Sequence, residues 1–83
     1  MTKTREELNK EYQKSIKNIW TKYHLQPSIT LEYIYMKQDN EKEAREMLTL
    51  EVQRTLLYNH NLSYSNYSDT VENTIQQIIG EFQ

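Results

Sequence analysis

TREELNKEYQKSIKNIWTKY, residues 4–23, decides the class of the fold. Thr4 followed three residues later by Glu7 is a capping box, the signature of a helix N-terminus. Leu8, Tyr12, Ile16, Ile19, Trp20 and Tyr23 then recur at helical spacing. At about 100° per residue they fall in an arc of about 120°, the width of a core-facing stripe. Trp20 lies within this run and is expected in the core. Lys3, Lys10, Lys14 and Lys17 lie on the opposite face. Pro27 restricts Gln26 and lacks a backbone donor, so the helix is predicted over about 4–24.

The next stretch, SITLEYIYMK at 28–37, reads two ways. Ile29, Leu31, Tyr33 and Tyr35 alternate as in a strand. Nothing nearby offers a partner strand, and a lone strand leaves its backbone groups unpaired. A short helix capped by Ser28 or Thr30 is therefore preferred. Its apolar residues surround the axis, which predicts burial or use in an interface.

Asn40-Glu41-Lys42-Glu43 is a second candidate capping box, and acidic residues crowd the turn that follows, where the helix dipole favours them. A helix is predicted over about 40–58. It carries one stripe of Ala44, Leu48, Val52 and Leu56 and a second of Met47, Leu50, Leu57 and Tyr58. Two apolar faces imply neighbours on two sides, so this helix is expected at the centre of the bundle or against a second chain. Residues 59–67, NHNLSYSNY, read as a polar loop. Ser68 or Asp69 then caps a last helix over about 68–82, whose stripe is Val71, Ile75, Ile78, Ile79 and Phe82. The reading is a single all-α domain over 1–83: three main helices plus the short segment at 28–37.

Composition narrows the function classes. The 83 residues include one Gly, one Pro and no Cys. The lack of Cys excludes a disulfide scaffold, Cys-ligated zinc, an Fe–S cluster and thiol catalysis. With Gly80 alone, phosphate-cradling glycine loops are excluded too. No apolar run reaches the roughly 18 residues of a membrane span. The opening MTKTREELNKEYQ lacks the apolar run of a signal peptide, which makes the cytoplasm the expected location.

Chemistry-bearing residues are sparse. His24 and His60 each lack a second His or a carboxylate at i+3 or i+4, so no metal site is expected. His24 reads as a residue at a helix C-terminus. His60, Ser63, Ser65, Ser68 and Asp69 contain the letters of a triad, without the nucleophile elbow or the oxyanion donors that acyl transfer needs. No catalytic residue and no cofactor are expected. Two N-glycosylation patterns begin at Asn61 and Asn66, and without a signal peptide they carry no weight.

Two features point to binding. Residues 1–22 hold six basic and three acidic side chains, whereas 23–83 hold four basic and nine acidic ones. Lys3, Lys10, Lys14 and Lys17 therefore form a candidate contact for an acidic partner. The alternative is a solvated face with Glu6–Lys10 and Glu11–Lys14 pairs. Nucleic acid is disfavoured by the net charge of −2 and by the lack of Arg on that face. The second feature is the seven tyrosines. Tyr33, Tyr35, Tyr64 and Tyr67, with Met47, Leu50 and Leu57, are candidate protein-binding residues. The same tyrosines also suit the edge of a small core. Met47, Leu50 and Leu57 further allow a homodimer through a two-fold helix contact.

The Lys22-Tyr23-His24-Leu25-Gln26-Pro27 turn, with the final loop and helix, resembles small four-helix bacteriocin immunity proteins over about a third of the chain. The resemblance implies a toxin-neutralising role and transfers no residue assignment. The main expectation is a non-enzymatic, cytoplasmic bacterial protein that binds another protein as inhibitor or regulator. An origin on a phage or plasmid is part of that expectation. An immunity protein and a small nucleic-acid-binding regulator are the alternatives.

Overall fold

The structure, a computed structural model, describes the backbone of residues 2–60 and 64–82 and their side chains except those of 58–60 and 64–68. The chain forms five helices: α1 (Arg5–Glu11), α2 (Gln13–Tyr23), α3 (Pro27–Lys37), α4 (Glu41–His60) and α5 (Tyr64–Gly80). No strand occurs among the described residues. The all-α bundle expected from the periodicity is what forms, with its elements divided differently.

The capping box is made in full. The Glu7 amide donates to Thr4 Oγ1 at 3.2 Å, and the Thr4 amide donates to Glu7 Oε1 at 3.4 Å. The single helix expected over 4–24 is broken at Tyr12, whose φ of −108° and ψ of 20° lie outside the helical basin. The ladder persists across the break: the Tyr12 amide donates to Leu8 O and the Ile16 amide to Tyr12 O, both at 2.9 Å. The axis therefore bends without ending. At the bend the Tyr12 ring stands edge-on to Phe82, with centroids 5.5 Å apart.

His24 ends α2 in the left-handed conformation, at φ 59°. Its amide donates to Trp20 O at 2.9 Å, and the next residue, Leu25, folds back into the core at 2% exposure. This is the apolar contact that accompanies left-handed helix ends. Pro27 does more than stop α2. It occupies the first turn of α3, where its missing N–H costs nothing. The helical reading of 28–37 holds, but neither expected cap serves it. Ser28 lies inside the helix, and Thr30 is fully buried with its hydroxyl donating to Gln26 O at 3.4 Å.

The centre of the bundle is α3, not the helix predicted over 40–58. It packs against α1, α2 and α4, while α4 packs against α3 and α5. An eleven-residue helix whose apolar residues surround the axis fits a position with three neighbours. Polar ties fix its partners. Arg5 forks Glu32 at 2.9 and 3.0 Å, and the Gln38 side chain exchanges hydrogen bonds with the Lys3 backbone at 2.8 and 3.1 Å. On the other side of the molecule the Tyr23 hydroxyl pairs with Gln77 at 2.7 Å, and Ser15 Oγ donates to Glu81 O at 3.1 Å, joining α2 to the end of α5.

Of the stretch expected as a loop at 59–67, residues 59–60 and 64–67 are helix, and 61–63 lie outside the described residues. Helix α4 continues to His60 and α5 begins at Tyr64, so Ser68 and Asp69 are interior positions, not caps. Asn and Ser cost only about 0.5–0.7 kcal/mol each in a helix, and tertiary context overrides that. Asn40 does cap α4: its Oδ1 accepts from the Glu43 amide at 3.1 Å.

Candidate functional site

The described residues contain no cluster of three or more His, Asp or Glu that would hold a metal ion. The space between the end of α2, α4 and α5, lined by Leu25, Val52, Leu56 and Ile78 among others, is about 20 Å³. That is room for about one water molecule. A wider open cleft of about 270 Å³ lies between α1, α3 and Phe82; Leu8, Tyr12 and Ile34 line it beside Lys3 and Lys37.

Tyr33 is not on the exposed surface. It is 1% exposed, inside the core, with its ring 6.1 Å from Phe82. Its hydroxyl is buried with no hydrogen-bond partner among the described residues, and burial raises its pKa above the ordinary value. Tyr35 is half-buried and already engaged, because the Arg5 guanidinium lies 4.0 Å above its ring. The same guanidinium holds the Glu32 carboxyl below its usual range, chiefly by hydrogen bonding. Tyr35, Arg5 and Glu32 thus form a clasp between α1 and α3. Tyr64 and Tyr67 lie outside the described side chains.

The Lys face divides. Lys3 pairs with Glu11, which raises the Lys3 pKa, so Glu11 does not serve Lys14. Lys10, Lys14 and Lys17 are exposed and have no ion pair among the described residues; the expected Glu6–Lys10 and Glu11–Lys14 pairs are not formed. Trp20, expected in the core, is 43% exposed and stands edge-on to His24 at 6.2 Å. It lies at the edge of the stripe, about 60° from its centre at about 100° per residue, and Ile19, fully buried, takes the core position.

The outer face of α4 is the most exposed apolar surface described. Ala44, Leu48, Val52 and Leu56 are buried, whereas Leu50 is 62% and Leu57 58% exposed. Seven residues apart, the two leucines lie about two turns, or 10.5 Å, apart on one face. Met47 is half-buried at its margin, packed on the core. Exposed Glu43, Glu46 and Arg54 surround the leucines. An open groove of about 410 Å³ runs beside Leu50, lined by Lys42, Arg45, Glu46 and Thr49. Of its cations Arg45 is committed to Glu72 on α5, at 2.8 Å.

Compared with known proteins, the chain matches no family model, no curated protein and no solved structure. No described helix is long and apolar enough to cross a membrane.

Proposed function

We propose that the protein is a small non-enzymatic module that binds another protein through the outer face of α4 and modulates it. One observation carries the reading: Leu50 and Leu57 stand exposed, at 62% and 58%, with heptad spacing on a helix whose opposite side is core. An exposed apolar stripe rimmed by charge is the usual form of a helix-borne docking surface. A cytoplasmic site of action in a bacterial cell, on a phage- or plasmid-borne gene, belongs to this reading. The test is affinity capture from a nuclease-treated lysate of the native host, with wild type and the double variant Leu50→Asp, Leu57→Asp side by side. A stoichiometric protein held by wild type and lost by the variant supports the reading. The same proteins on both baits, or none on either, overturns it.

A second reading rests on Lys10, Lys14 and Lys17, exposed and without ion pairs among the described residues. They make a row for an acidic partner, beside the exposed Trp20. Binding of this kind weakens steeply with added salt, and a salt-independent affinity excludes it. A toxin-neutralising role is the narrower form of the first reading, tested by protection of a sensitive cell.

A further inference from the structure

The charge order along α4 says what fits its outer face. Glu43 and Glu46 precede Leu50, and Arg54 follows it. All are exposed, and they share the arc that carries Leu50 and Leu57. Glu46 lies one turn before Leu50 and Arg54 one turn after it. A parallel copy would set Glu46 against Glu46 and Arg54 against Arg54, which is repulsive. An antiparallel copy related by a two-fold axis at Leu50 sets Glu46 of each chain level with Arg54 of the other, within reach of their long side chains across the seam. The face is therefore complementary to itself in one orientation only.

Neither charge is strongly engaged within the chain. Glu46 has no ion pair among the described residues. Arg54 has only Glu51 at 3.5 Å, with its own side chain 79% exposed. Lys42 and Arg45 flank the row without interrupting it, and Arg45 is held aside by Glu72.

The geometry points to a second copy of this chain as the occupant: α4 pairs antiparallel with α4, and Leu50 meets Leu50 on the axis. Leu57 of each chain then reaches the Glu43–Met47 turn of the other. The inference rests on the reading that this face binds protein, and it names the partner. A contact made by one helix from each chain belongs to the low size class of interfaces, under about 1,200 Å² in total. The dimer is accordingly reversible and concentration-dependent, and another protein that takes the same face competes with it.

Sedimentation equilibrium over a wide concentration range tests this, with far-UV circular dichroism confirming that each variant is folded. Wild type shifts from monomer to dimer as concentration rises. Glu46→Arg and Arg54→Glu each weaken association by about tenfold or more, since each breaks two symmetric pairs. The double reversal restores association to within about threefold, because the swapped charges again face one another. Leu50→Asp abolishes the dimer. A wild type that stays monomeric throughout overturns the inference. So does a dimer indifferent to the single reversals, or one that the double reversal fails to restore. A monomeric protein that still captures another protein through Leu50 and Leu57 leaves the docking reading standing and removes only the second copy.

Discussion

Replacing Tyr33 by Phe should make the protein more stable. The ring of Tyr33 is buried at 1% exposure and touches Phe82, and the variant keeps those contacts. What it removes is a hydroxyl whose oxygen is buried with no hydrogen-bond partner among the described residues. A buried polar group left unpaired costs about 1–3 kcal/mol, while the dispersion lost with one oxygen atom is a few tenths. The balance favours Tyr33→Phe by about 1 kcal/mol, or roughly 4–8 °C in Tm for a domain of this size. Thermal unfolding followed by far-UV circular dichroism, at low protein concentration so that association adds nothing, measures it directly.

The same group gives a pH signature. Burial raises the Tyr33 pKa, with a further push from the Glu41 carboxylate and an opposing pull from Arg45. The unfolded chain releases this proton near pH 10, while the folded chain still holds it. Stability from this residue is therefore intact below about pH 10 and falls as pH rises beyond it. The alkaline decline should be shallower in Tyr33→Phe than in wild type. A variant less stable than wild type would refute the argument, because it would show that the hydroxyl has a partner worth more than its desolvation.

Three other outcomes follow from the packing. Leu48→Ala, at a fully buried position, should cost about 2–5 kcal/mol, whereas Leu50→Ala should change stability by no more than about 0.5 kcal/mol; denaturant unfolding compares them. Trp20 is the only tryptophan, so intrinsic fluorescence reports its site: the native emission should be red-shifted and open to a soluble quencher, and a blue-shifted, protected signal contradicts its 43% exposure. Arg5 holds Glu32 below its ordinary pKa near 4.5, so the pair's contribution is present above that pH and is lost as pH falls through the lowered value. Arg5→Gln should flatten that part of the acid unfolding curve, and an unchanged curve would show that the clasp contributes nothing.

Much of the fold was legible where local chemistry alone decides it. Thr4 and Glu7 cap a helix because both halves of the bond lie within four residues. The bend at Tyr12 was not legible, because the ring it meets belongs to Phe82, at the other end of the chain. Residues 28–37 show both periods, and what settles them as helix is Pro27 in the first turn together with three helices packed against them. Residues 59–60 and 64–67 look like loop by composition and are helix, because Asn and Ser only weakly disfavour helix and α4 and α5 extend into them. Trp20 departs from the expected core for another reason: it occupies the margin of the stripe, which the bundle does not cover.

The candidate surface was half legible, and the reason lies in the geometry of α4. Two apolar stripes on one helix imply two neighbours if each stripe serves one. Ala44, Leu48, Val52 and Leu56, however, follow one another every four residues, so the row turns by about 40° at each step and sweeps about 120° around the axis. That single row is wide enough to meet both neighbours of α4, namely α3 and α5. Leu50 and Leu57, nearly opposite it, are then surplus to the bundle. In the isolated chain a polar residue at either position would cost the fold almost nothing, so any use for these leucines lies outside the chain. Wide separation of the Leu48→Ala and Leu50→Ala stabilities, together with loss of association in Leu50→Asp, would place the two stripes in different roles. Equal costs for the two alanine variants would mean that the second stripe belongs to the fold after all.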